Sequence, residues 1–157
     1  MLQRDDIAQI IEEYDRMKLR IGMTASHSAL DICDGGIEEG FPTVAYCQEG
    51  RHKTYANYFK TKRSGSGRVL RGMVDKAIVM PSFNDVMDES MQVEMRKRNV
   101  VYIPNRSFTS YSSIEDVENK FKVPLFGSRN MLRMEERTEE QDYYWILDKA
   151  GLPYPEA

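Results

Sequence analysis

Cysteine is scarce in this chain of 157 residues. Cys33 and Cys47 are its only two, and no C-x-x-C pair exists. Two thiols cannot build a disulfide framework, so any stable fold must rest on a packed core. Both cysteines read as buried thiols of a reducing compartment. Histidine is as rare, with His27 and His52 alone. That excludes a metal site built from histidine and cysteine at ligand-like spacing. No apolar run approaches the ~18 residues of a membrane span. The N-terminus, MLQRDDIAQIIEEY, is acidic and amphipathic and lacks the apolar stretch of a signal peptide. A cytoplasmic protein with no membrane partner is expected. Charge of one sign is lacking too: 22 Lys+Arg stand against 25 Asp+Glu, a net of −3. A generally basic nucleic-acid binder is thereby disfavoured. What is present is globular: 41% hydrophobic and 30% charged residues. The length suits one domain and allows roughly 68–70% of the unfolded surface to be buried.

The periodicities alternate. Ile7, Ile10, Ile11, Tyr14 and Met17 form a helical stripe over 4–18. Residues 20–25 read as a strand, Ala29 to Cys33 as the start of a helix ended near Gly35, Gly36 and Gly40, and 42–47 as a second strand. Residues 60–72, KTKRSGSGRVLRG, hold five basic residues and no acid, which suggests a mobile surface loop. Strands follow at 76–80, 100–103 and 123–126. Between the first two, Ser82 or Asn84 caps a helix with the stripe Val86, Met87, Met91 and Met95. Residues 129–150 read as mostly helical, ending at Gly151. Short apolar strands alternating with helices predict an α/β fold of Rossmann type. Its sheet is mainly parallel, has about five strands and carries helices on both faces.

Ligands of open α/β sheets bind outside the carboxyl ends of the strands. Three such ends are polar here. Thr24-Ala-Ser-His-Ser28 opens a helix, where backbone N–H groups favour an anion. Ser26, His27 and Ser28 are therefore candidate ligands of a phosphorylated metabolite. The plain alternative is that a serine merely caps the helix and His27 is a surface residue. Pro104-Asn-Arg-Ser-Phe108 offers Asn105, Arg106 and Ser107, and Arg106 suits a carboxylate or phosphate. An ordinary polar loop with Arg106 in an ion pair is the alternative. Phe126-Gly-Ser-Arg-Asn130 is the third end.

Other patterns carry less. Gly65-Ser-Gly67 with Gly72 has the wrong spacing for a dinucleotide loop, and no GK[ST] follows. The methionines Met73, Met80, Met87, Met91 and Met95 fit core packing better than a binding face. Glu135, Glu136, Glu139, Glu140 and Asp142 fit a solvated helix face. His52, between Arg51 and Lys53, fits the surface.

Segment 26–51, SHSALDICDGGIEEGFPTVAYCQEGR, resembles the start of the archaeal formate-dependent ligases of purine synthesis. These are the 5-formaminoimidazole-4-carboxamide ribonucleotide synthetases, which belong to the ATP-grasp superfamily. IPNRSF (103–108), VENKFKVPLFGSRNMLRMEERT (117–138) and LDKAGLPYPEA (147–157) extend the likeness over nearly the whole chain. The resemblance implies a ligase that formylates aminoimidazole carboxamide ribonucleotide with formate and ATP, through formyl phosphate. It implies a Rossmann-like substrate-binding domain over 1–145 and the start of a linker to an ATP-grasp domain over 146–157. ATP and magnesium would belong to the full-length enzyme, with none expected on this chain alone.

By motif, His27 matches the substrate-contacting histidine of S-H-S/T, and Ser107 the serine of P-H-x-S-F. Asn105 departs from the histidine of that second motif, which bears on the carboxamide or formate end of the site. The basic loop 60–72 also looks like an insertion. The implied partners are a phosphorylated imidazole ribonucleotide and formate, with no nucleic acid. A homo-oligomer, or a partner chain carrying the ATP-grasp domain, is also implied. A face exposing Tyr143, Tyr144 and Trp145 is expected to pack on that domain. The competing reading is a stand-alone, non-catalytic module that binds a phosphorylated metabolite or a partner polypeptide. A third is an anion or nucleic-acid binder acting through the basic loop.

Overall fold

The structure is a computed structural model that describes residues 2–129, 131–134 and 141–155. The chain divides into two compact units, 1–126 and 127–157.

In the first unit, helix α1 (Arg4–Glu12) leads through a 3₁₀ turn (Arg16–Lys18) to β1 (Arg20–Thr24), α2 (Ala29–Glu38) and β2 (Thr43–Gln48). A π-turn at Thr54–Tyr58 precedes β3 (Lys62–Arg63), β4 (Val69–Arg71) and β5 (Lys76–Met80). A 3₁₀ turn (Phe83–Met87), α3 (Glu89–Lys97), β6 (Val100–Tyr102), α4 (Arg106–Tyr111) and α5 (Ile114–Lys120) complete it. Four strands form one parallel sheet in the order β5-β2-β1-β6. The expected α/β class and mainly parallel sheet are therefore observed.

Strand alternation builds two different faces. Met23, Ala45 and Cys47 pack with Ala29 and Cys33 of α2 in a core of small and sulfur-bearing side chains. The opposite face is aromatic. Tyr102 lies 6.0 Å from Tyr46, 4.9 Å from Phe108 and 5.3 Å from Phe121, centroid to centroid. Gly22 makes room for this cluster: a Cβ there would meet Val100 Cγ1 at 2.5 Å and the Tyr46 ring at 3.2 Å. Cys33 and Cys47 are buried free thiols, and burial pushes both up to about 12.

Several expectations need correction. The fifth strand, 123–126, is a single parallel bridge between Tyr102 and Leu125. Pro124 has no N–H to give a ladder, though its carbonyl accepts from Tyr102 N at 2.8 Å. The helix over 4–18 breaks after Glu12. Tyr14 turns inward to donate to the Val100 carbonyl (2.9 Å), while Met17 is 92% exposed. Asp88 is extended and splits the predicted 82–98 helix in two. The Met stripe there gives way in part to Gln92. This buried amide donates to Met87 O at 2.7 Å and accepts from Lys122 N at 2.6 Å.

Residues 60–72 fold as a hairpin of β3 and β4 rather than an irregular loop. Arg63 anchors it, reaching Asp75 Oδ1 at 2.8 and 3.0 Å and the Gly67 carbonyl at 3.1 Å. Asp75 also accepts from Thr43 N at 3.0 Å, which fastens the hairpin to the sheet. The helices α4 and α5 were not expected. Asn105 and Ser113 cap them, accepting from Phe108 N and Asp116 N.

In the second unit, α6 (Met131–Met134) and α7 (Tyr143–Lys149) are helical. The acidic residues Glu135, Glu136, Glu139 and Glu140 lie outside the described residues. Asp142 is the N-cap of α7, accepting from Trp145 N at 2.9 Å. Tyr143 and Trp145 are exposed, and the Tyr144 and Tyr154 rings lie 5.3 Å apart.

Candidate functional site

The strand order reverses beside β1. The chain passes from β1 to β2 on one side and later returns to place β6 on the other. Such a switch point leaves a crevice at the carboxyl ends of the two strands on either side of it. Here those strands are β1 and β6. Their register runs Arg20↔Val100, Ile21↔Val101 and Gly22↔Tyr102, and no further. Beyond that pair the chain carries Ser26, His27 and Ser28 on one side and Asn105, Arg106 and Ser107 on the other. The two polar ends singled out from sequence are thus neighbours past the carboxyl ends of β1 and β6, joined by the Asn105 amide.

The β1 wall is an irregular turn. Ser26 N donates to Thr24 O (2.9 Å), and Ala29 N donates back to Ser26 O (3.1 Å). His27 and Ser28 sit inside this turn and are exposed. His27 has a φ of +47°, a left-handed conformation uncommon outside glycine, for which asparagine, aspartate and histidine are the enriched exceptions. Ser28 occupies the N-cap position of α2, yet its side chain makes no capping bond. The plain alternative for Ser28, a capping hydroxyl, is therefore not observed.

The β6 wall is buried. Ser107 has no exposed surface, and its Oγ makes no hydrogen bond. Buried hydroxyls are rarely left so, and such a group is disposed to bind an incoming polar atom. Asn105 is also buried, at 8% exposure, and its amide is fully engaged. Nδ2 donates to the carbonyls of Thr24 (2.9 Å) and Ser26 (3.1 Å), and Oδ1 accepts from Phe108 N (3.2 Å). Arg106 is exposed, and its carbonyl accepts from Thr109 and Ser110.

Two features were not found from sequence. Thr24 Oγ1 and Tyr102 Oη are 2.5 Å apart, which ties β1 to β6 at the base of the crevice. Burial holds the Tyr102 hydroxyl well above the ordinary tyrosine range, so this is a bond between neutral hydroxyls. Arg51, just past β2, donates to Tyr111 Oη of α4 at 3.4 Å. Its position after a strand end was the available signal. The third polar end, 126–130, straddles the boundary of the two units. Asn130 lies outside the described residues.

The profile of a family described as "Protein of unknown function (DUF1246)" matches residues 21–157. A protein of Methanopyrus kandleri named 5-formaminoimidazole-4-carboxamide-1-(beta)-D-ribofuranosyl 5'-monophosphate synthetase is 37% identical over 156 residues. The match takes in 99% of this chain and 39% of that protein. A protein of the same name from Methanocaldococcus jannaschii is 33% identical, with 99% and 39% covered. Among solved structures, "an IMP biosynthesis protein PurP" from Thermococcus kodakaraensis is similar with a TM-score of 0.60 and 28% identity. That likeness covers 87% of this chain and 38% of the other. The chain therefore spans less than two fifths of the length of these relatives. It belongs to the DUF1246 family.

Proposed function

We propose that this member of the family is the substrate-binding part of a formate- and ATP-dependent carbon–nitrogen ligase. The ligase formylates aminoimidazole carboxamide ribonucleotide on the way to inosine monophosphate. One observation supports the reading: the exposed His27 and the buried, unpartnered Ser107 lie just past the carboxyl ends of the adjacent strands β1 and β6. The names of the relatives supply the chemistry. Residues 1–145 would form the binding domain and 146–157 the approach to an ATP-grasp domain. The setting is cytoplasmic. A second copy, or a chain bearing the ATP-grasp domain, would be the partner.

In this reading the chain binds and orients. The first turn of α2 presents backbone N–H groups that suit the substrate phosphate, with Ser26 and Ser28 beside them. His27 offers a ring nitrogen as donor or acceptor to the ribonucleotide, and Ser107 a hydroxyl that serves either way. Asn105 holds the walls together. Arg106 stands at the rim for an anionic group such as formate. ATP would supply the driving force for joining the formate carbon to the substrate amine with loss of water. Among the described residues, no group of three or more His, Cys, Asp or Glu side chains is placed to hold a metal ion. No step here runs through a metal ion. The described residues include no helix long and apolar enough to cross a membrane.

Titration calorimetry tests the reading. The ribonucleotide and its formylated product should bind about tenfold or more tightly than ribose 5-phosphate, as one or two added hydrogen bonds would give. Equal, weak binding of all three would reduce the crevice to a generic anion site. Formate-dependent ATP turnover by the 157-residue protein would overturn the assignment of binding alone.

A further inference from the structure

We propose that Asn105 is a positioning residue: its side-chain amide continues the β1–β6 ladder past the end of backbone pairing and so sets the placement of His27. The inference rests on the ligand reading above for its functional consequence only. The geometry behind it stands on its own.

The last backbone rung between the two strands is Ile103 N to Gly22 O, at 2.8 Å. In a strand, alternate carbonyls point toward the same neighbour. The next carbonyls on that side of β1 are those of Thr24 and Ser26. By the same alternation the next N–H on the β1 side is that of Asn105 itself, since Tyr102 N faces Pro124 O on the other side. Asn105 Nδ2 takes that place, donating to both carbonyls with its two hydrogens, at 2.9 and 3.1 Å. The side chain thus stands in for two missing rungs.

The second carbonyl matters most. Ser26 O already accepts from Ala29 N to close the turn around His27 and Ser28. It also belongs to the peptide unit that precedes His27. Fixing that unit from outside holds His27 in its left-handed conformation, which costs energy in any residue that carries a Cβ. The same asparagine caps α4 through Oδ1, one turn from Ser107. One buried amide therefore sets both walls. It has no donor left for a ligand, so the expected direct contact of Asn105 with substrate is replaced by this indirect role.

Asn105→Asp is the discriminating variant. It keeps an oxygen to cap α4, since aspartate is as good an N-cap as asparagine, but it removes both amide donors. The chain has only two histidines, His27 and His52. Their imidazole C–H proton resonances can be assigned with His27→Ala and followed across pH. Asn105→Asp should shift the His27 resonance while leaving that of His52 in place. It should also weaken the ribonucleotide by about tenfold or more. Asn105→Ser, which can cap but is too short to reach both carbonyls, should do the same. Unchanged His27 resonances in both variants, with the fold intact, would overturn the proposal. If the parent chain binds no ribonucleotide, the ligand reading fails, while the His27 resonance still decides the role of Asn105. If Asn105→Asp unfolds, Asn105→Ser and the ratio of its affinity to that of the parent settle the matter.

Discussion

The adjacent strands β1 and β6 are closed differently at their two ends. Each end holds one left-handed residue that is not glycine, Asn99 at the amino end and His27 at the carboxyl end. Asn99 follows the last turn of α3. Its N–H reaches Arg96 O (2.9 Å), its carbonyl accepts from Arg20 N (3.0 Å), and its Oδ1 accepts from Asp15 N (2.9 Å). Asparagine tolerates this conformation and is common just past a helix end. Arg20 and Asp15 lie 79 and 84 residues away, so this turn is tied at long range as well as through Arg96. The turn at His27 is closed locally by Ala29 N donating to Ser26 O at 3.1 Å. It is also fixed from across the crevice by Asn105, 78 residues later in the chain by position, and the neighbouring Ser107 hydroxyl is left without a partner. Strained backbone and unpaired polar groups collect where ligands bind, and the remaining scaffold carries their cost. Arg98 Nε is likewise buried without a partner at the amino end, so what sets the carboxyl end apart is a free hydroxyl past the end of β6 and an exposed histidine past the end of β1.

Changes to the shared scaffold should cost the most stability and leave the contrast between the ends untouched. Phe121 is fully buried against Tyr102 and Phe108. Phe121→Ala should destabilise the protein by ~3–5 kcal/mol in urea unfolding, the usual range for such a truncation. Affinity per folded molecule should barely change.

Alkaline pH attacks the other face. Cys33 and Cys47, ordinarily near 9.0, are held up to about 12 by burial, so the folded state retains protons that the unfolded chain releases. Their contribution is fully present below pH 9 and is lost as pH rises toward 12. Unfolding midpoints should therefore be flat in this respect from pH 6 to 8 and fall above 9. A thiol reagent should react slowly at pH 8 until the protein is unfolded.

The two left-handed residues should respond in opposite directions. Asn99→Ala should cost ~1–2 kcal/mol, since alanine disfavours the conformation and cannot accept from Asp15. His27→Gly should relieve the backbone and leave stability equal to the parent or higher by up to ~1 kcal/mol. It should still weaken the ribonucleotide. Equal destabilisation by both would erase the distinction between the two ends.

The sequence made the sheet legible because its strands are short apolar runs ended by turn residues. β1, β2, β5 and β6 fall within two residues of expectation. The polar strand ends were legible for the same reason, as serine, histidine and asparagine stand out against Val100-Val-Tyr-Ile103 and its counterparts. What local pattern could not carry was pairing at a distance. Nothing in Pro104-Asn-Arg reveals that the Asn105 amide reaches two carbonyls, those of residues 24 and 26. Met17 looked buried because a helical stripe does not show where the helix breaks. The 60–72 segment looked loose because its like charges hid the link from Arg63 to Asp75, formed across 12 positions.

The most direct test of the central claim is the affinity of the aminoimidazole carboxamide ribonucleotide for three proteins: the parent chain, His27→Ala and Ser107→Ala. If the crevice is the substrate site, His27→Ala should weaken binding by ~1–3 kcal/mol and Ser107→Ala by ~0.5–1.5 kcal/mol, with both variants as stable as the parent. Affinity unchanged by either substitution would place the ligand elsewhere and contradict the account.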